Sequence, residues 1–121
     1  MRIPYVDGMP KIKMKVRGPK GEREYDAYLD TGASRTLIPE TDAIELELPY
    51  VGDTTIITGA GKDIIRLYRA TVVFLDKEFS ILVFGRDLPE QALVNSMIGR
   101  DILDHYKIGF DGIDKKIEVL T

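Results

Sequence analysis

The stretch Tyr28-Leu29-Asp30-Thr31-Gly32-Ala33-Ser34 constrains this chain more than any other. An apolar run ending at Leu29 delivers one carboxylate, Asp30, to an abrupt break. Thr31 adds a short hydroxyl. Gly32 permits dihedrals or a close backbone approach that a residue with a Cβ resists. Ala33 and Ser34 are small and leave room around the acid. A strand feeding a tight turn that presents an Asp has this pattern. The same residues also suit an ordinary polar hairpin turn.

A second stretch of similar grammar lies downstream. In Ser96-Met97-Ile98-Gly99-Arg100-Asp101-Ile102-Leu103 a short apolar run again meets a glycine, then a helix-like segment. Gly32 and Gly99 are 67 positions apart (99 − 32). Together, the Asp-Thr-Gly-Ala-Ser turn and the distant apolar-Gly-Arg-Asp-apolar turn resemble the retropepsin-like aspartic proteases, of which the retroviral protease is the best-known member. The resemblance runs from about Lys11 to Leu120.

Elsewhere the chain reads as many short strands. Residues 1–9 are broken by Pro4 and Gly8 and suit a terminal arm or edge strand. Lys11 to Arg17 alternates, with Ile12, Met14 and Val16 on one face and Lys11, Lys13, Lys15 and Arg17 on the other, the period of a half-buried strand. The basic side reads as a solvated face that guards a sheet edge. Gly18 to Gly21 is a turn and Glu22 to Leu29 its return strand. Arg35 to Ile38 is short and becomes apolar. Pro39 suits a helix start, and Thr41 to Leu48 fits either one or two helical turns or a strand. Thr54 to Ile57, Ile64 to Leu75 and Phe79 to Phe84 read as strands, and Gly85 to Asn95 as a loop. Met97–Ile98 is a short buried strand, Arg100 to Tyr106 one short helix, and 107–110 with 116–120 a last hairpin. Turns every roughly 8 to 12 residues argue a mainly β barrel or sandwich.

Composition bounds the function. The 121 residues suit a single domain, 1–121, with a core of its own. With 17 basic against 20 acidic residues the net charge is −3, which gives no electrostatic case for nucleic acid or an anionic membrane. The chain has no cysteine and one histidine, His105, so neither a disulfide, a thiolate metal site nor a multi-histidine cluster can form. His105 reads as a surface or packing residue, since no nucleophile motif accompanies it. No apolar stretch reaches the roughly 18 residues needed to span a bilayer, and Met1 to Asp7 lacks the apolar core of a signal peptide. The expectation is a cytoplasmic protein.

The resemblance implies more. It implies a small closed β-barrel of the retropepsin (acid protease) type, with one short helix near residues 100–106, that acts as an aspartic endopeptidase without metal or other cofactor. Asp30 would be the catalytic carboxylate, with Thr31, Gly32, Ala33 and Ser34 completing its turn. Hydrolysis of an amide needs one group to take a proton from water and another to give one. Two adjacent carboxylates share a proton and supply both roles, a pairing for which aspartic proteases are the standard example. This chain has a single Asp-Thr-Gly, so the partner would be Asp30 of a second copy across a twofold axis. In the family the turn's Thr bonds across that axis, a role that falls to Thr31, and the Gly, here Gly32, contacts bound peptide. Viral members pair their termini in the dimer, which points to Met1 to Tyr5 and Lys116 to Thr121.

Thr58, Gly59, Ala60 and Gly61 form the candidate flap tip, which lies between the two turns as in the family. A plain β-turn fits the same residues. Ile98, Gly99, Arg100 and Asp101 form the second signature turn. In retroviral members its Arg pairs with an acid just after Asp-Thr-Gly-Ala. Here that position is Ser34, followed by Arg35, so Arg100 needs another partner, such as a backbone carbonyl. Asp101 suits a helix N-terminus. A homodimer cleaving peptide or protein substrate is therefore expected. The rival reading is a non-catalytic dimeric peptide-binding or scaffold module on the same barrel. An unrelated all-β domain is a third.

Overall fold

The alternation that begins at Lys11 becomes a long strand because one face is apolar throughout. In the computed structural model, which describes residues 1–120, β1 (Arg2–Pro4) precedes this strand, β2 (Lys11–Gly18), and β3 (Gly21–Leu29) returns beside it. Ile12, Met14 and Val16 are buried and Lys13 and Arg17 exposed. The chain continues through β4 (Leu37–Ile38), α1 (Glu40–Glu45), β5 (Tyr50–Thr58), β6 (Gly61–Phe74) and β7 (Lys77–Gly85). It ends with β8 (Met97–Ile98), α2 (Arg100–Leu103), β9 (Ile108–Asp111) and β10 (Lys116–Val119).

The main sheet runs β2-β3-β8-β4-β7-β6-β5, and β6 also pairs with β2. That last pairing, Met14↔Phe74 through Arg17↔Thr71, closes a six-stranded barrel. The fold is therefore the mainly β, closed barrel that the sequence led one to expect. Closure buries Met14, Val16, Ile38, Val72, Phe74, Val83 and Ile98 completely. β5 lies outside the ring as a seventh strand, bonded only to β6.

Closure corrects two expectations. From Met14 to Arg17 β2 is not an edge, since β3 and β6 flank it, and Lys15 and Arg17 guard none. Nor does Lys11 belong to a solvated face: it is buried, and its Nζ donates to the Leu93 carbonyl at 2.9 Å. The period of two placed its side correctly, but the 86–96 segment folds over that end of the strand.

Between Thr41 and Leu48 the structure chooses helix. The helix, α1, ends at Glu45 and buries Ala43 while Ile44 stays exposed, and the turn that follows buries Leu46 and Leu48. α2 is a single turn of 4 residues, shorter than the expected 100–106. Beyond it the chain bends so that the Tyr106 ring packs edge-on against Phe74, 5.4 Å between centroids. His105 is exposed beside the Phe79 ring.

The termini form a second sheet, β1-β10-β9, within the one chain. Arg2 braces it from β1, with Asp111 at 3.2 Å, Glu118 at 3.4 Å and Asp114 at 3.9 Å. The segments expected in a dimer contact are thus already paired with each other here; Thr121 lies outside the described residues.

Candidate active site

β3 carries Asp30 to the surface. It runs parallel to β8 for two residue pairs, Tyr28↔Met97 and Leu29↔Ile98. The Asp30 N–H makes the next bond, donating to the Ile98 carbonyl at 3.0 Å. The chain then turns. Ala33 N–H donates to the Asp30 carbonyl at 3.2 Å, and Gly32 N–H donates to Asp30 Oδ1 at 2.9 Å. An Asp bonding its own backbone two residues on is a common way to build such a turn. Gly32 is not left-handed, unlike Gly8, Gly21, Gly52 and Gly61. Its use is space, since a Cβ there would stand 3.2 Å from Asp30 Oδ1. Asp30 is half-buried and Thr31, Gly32 and Ser34 exposed. Among the described residues only Oδ1 of Asp30 is hydrogen-bonded.

The second signature turn locks onto this one. Arg100 N–H donates to the Ala33 carbonyl at 2.8 Å, and Arg100 Nη1 donates to the Thr31 carbonyl, also at 2.8 Å. Arg100 thus takes the backbone partner expected of it. Gly99 is required by proximity: a Cβ there would lie 2.5 Å from the Arg35 carbonyl carbon, 2.7 Å from its oxygen and 3.0 Å from the Ala33 oxygen.

Asp101 does more than sit at a helix start. Its carboxylate accepts from both the backbone N–H and the hydroxyl of Thr36, each at 2.9 Å. The Thr36 hydroxyl in turn accepts from Gly99 N–H at 3.3 Å. Thr36 is fully buried, and among the described residues no buried side-chain polar atom lacks a partner. The Thr36–Asp101 pair was missed in the sequence. Its members lie 65 positions apart; Asp101 stands out only as part of the second signature turn, and nothing in the sequence marks Thr36 as its partner.

The candidate flap is the end of the β5–β6 hairpin. Thr58 opposes Gly61 across a two-residue tip, Gly59-Ala60. The Thr58 hydroxyl donates to the Gly61 carbonyl at 3.0 Å and accepts from Ala60 N–H at 3.2 Å. Nothing approaches within 4 Å of a Cβ built at Gly59 or Gly61, so the tip stands clear. Lower down, Arg86 fastens the hairpin to the barrel. Its Nη1 meets Asp63 Oδ2 and its Nη2 donates to the Ile64 carbonyl, both at 2.8 Å. The Ile64 N–H and then the Arg86 guanidinium hold the Asp63 carboxyl below its ordinary value. Glu40 anchors the next pair of residues, accepting from Tyr68 Oη at 2.8 Å and Arg66 Nη1 at 3.1 Å. Burial, helped by that bond, pushes the Tyr68 hydroxyl up to about 12.

Between hairpin and turn lies a cleft of about 490 Å³. Gly32, Ala33, Ser34 and Arg35 line one side, and Thr54 to Ile57 with Phe84 the other. The flap tip itself contributes no wall. The sequence marked the tip by its glycines, whereas the wall residues read only as a strand.

The fold has known relatives. It resembles the EIAV protease solved with an inhibitor (TM-score 0.64, 18% identity, 85% of this chain and 93% of that one). It also resembles a retropepsin-like aspartic protease from Rickettsia conorii (TM-score 0.62, 23% identity, 98% and 97%). The protease of Simian Foamy Virus (mac) follows at TM-score 0.56 and 18% identity, over 78% and 91%. At these identities the likeness is one of fold. No curated protein sequence matches the chain. A family model described as aspartyl protease matches residues 12–102, well over half the sequence and spanning both signature turns, and the chain belongs to that aspartyl protease family.

Proposed function

We propose that this chain is an endopeptidase that works as a symmetric homodimer, hydrolysing peptide bonds with a water held between the Asp30 carboxylates of its two copies. One ionised carboxylate takes a proton from the water as oxygen attacks the carbonyl carbon. The other, protonated, gives its proton towards the carbonyl oxygen. The pair then gives a proton to the leaving amine as the C–N bond breaks and takes one back from a hydroxyl of the intermediate, which becomes the carboxylic acid product. The observation that carries this reading is the state of Asp30: a half-buried carboxylate on a rigidly tied turn, engaged through one oxygen only, beside an open cleft. Thr31 is exposed next to it, available to a twofold partner, and Gly32 faces the cleft. The hairpin ending at Thr58 to Gly61 is the part free to open and close.

The test uses peptide-library cleavage followed by mass spectrometry. Wild-type protein is expected to cleave on the acid side of neutrality and Asp30→Asn to cleave nothing, with an unchanged melting temperature. Mixing the two proteins should lower activity as the square of the wild-type fraction, because one dimer needs both acids. Full activity of Asp30→Asn would refute the mechanism. A monomer at all concentrations in sedimentation would refute the shared site. A stable dimer that binds but never cuts peptides would instead identify a binding module.

A further inference from the structure

Arg35 is the one arginine that lines the cleft, and it differs from Arg66, Arg86 and Arg100 of the neighbouring elements in having no partner among the described residues. Arg66 is paired with Glu40, Arg86 with Asp63, and Arg100 with the Thr31 carbonyl. No ion pair or side-chain hydrogen bond among the described residues involves Arg35, which is half-buried and lines the cleft. An unpaired guanidinium at the wall of a cleft favours an arriving anion.

Its backbone is held in place. The Arg35 carbonyl packs against Gly99, where even a methyl would not fit. The next residue, Thr36, is clamped by Asp101 through two hydrogen bonds. The cation is therefore mounted on a fixed base, and less ordering remains to be done when a ligand binds. The facing wall is apolar at Ile56, Ile57 and Phe84. An aliphatic stem laid on that wall and ending in a carboxylate suits both parts, and guanidinium and carboxylate match as a two-pronged pair.

Resting on the endopeptidase reading above, we propose that Arg35 forms an acid-accepting subsite that selects peptides carrying a glutamate side chain near the scissile bond. A twofold dimer brings two Arg35 side chains, so the preference falls at two positions, one on each side of that bond.

The experiment walks a single Glu along an otherwise uncharged octapeptide and compares each member with its Gln and Lys counterparts. Binding is read by fluorescence anisotropy with the Asp30→Asn protein, and cleavage with protein intact at Asp30. At the two preferred positions Glu should exceed Gln by about tenfold, the usual weight of a charge-assisted bond. Arg35→Gln should erase the difference, and Arg35→Glu should turn the preference towards Lys. Cleavage without any Glu preference would overturn the subsite while leaving the endopeptidase intact. A Glu preference in binding, lost in Arg35→Gln, with no cleavage by any protein, would support the subsite and refute the endopeptidase. No preference in either measurement, or a dimer lost in Arg35→Gln with peptide preference unchanged, would overturn the proposal and make Arg35 structural.

Discussion

Thr36 gives both its backbone N–H and its hydroxyl to the carboxylate of Asp101, each at 2.9 Å, across 65 positions of sequence. This clamp joins the strand that leaves the Asp30 turn to the helix that leaves Gly99. Because the Thr36 hydroxyl also accepts from Gly99 N–H, one buried side chain fastens both signature turns.

Replacing Thr36 by Val keeps its shape and removes the hydroxyl. Gly99 N–H and one oxygen of Asp101 are then left short of a partner inside the fold. The expected cost is about 1–3 kcal/mol of stability, read from urea unfolding with the slope unchanged. A cost below the error of that measurement would show that water replaces the hydroxyl.

Gly99→Ala should be worse than an ordinary surface Gly→Ala change. The new Cβ would meet the Arg35 backbone at 2.5 and 2.7 Å, and backbone cannot swing aside as a flexible side chain can. A loss of about 3 kcal/mol is expected, with the Asp30 turn displaced, so peptide binding should fall as well. Calorimetry together with peptide binding checks both; an unaltered melting point would refute the close approach.

Lys11 has its stem buried and its Nζ on the Leu93 carbonyl. Lys11→Met preserves the stem and discards the bond. Amide exchange across residues 88–95 should accelerate while the β2–β3 ladder stays protected. Equal protection of that segment in both proteins would show that Lys11 does not hold it.

The base of the hairpin should respond to acid. Asp63 has a folded pKa below its ordinary value of 3.8, so its ion pair contributes fully above about pH 4. The contribution is lost as pH falls through the depressed value. Exchange protection at residues 61–66 should be flat from neutral pH down to about 4 and drop below it. Asp63→Asn should lack that drop. The effect on global stability should be small, since the pair is solvent-exposed.

Local signals were enough for several features. The period of two from Ile12 to Val16 marked β2 and its buried side, because successive side chains of any strand point to opposite faces. Leu29-Asp30-Thr31-Gly32 announced a turn carrying an acid, and Gly59 to Gly61 announced a hairpin end, because those residue types bias the backbone wherever they stand. Pairing across distance had no such signature. Whether β2 is an edge depends on β6 reaching it, and that depends on barrel closure. Lys11 became a buried anchor only because residues 86–96 fold over it, and the stretch from Thr41 to Leu48 resolved into a short helix ending at Glu45 and a turn that buries Leu46 and Leu48. The Thr36–Asp101 clamp and the solitary state of Arg35 are likewise facts of the tertiary structure. A hydroxyl, a carboxylate or a guanidinium looks the same in sequence whether its partner is water or a residue 65 positions away.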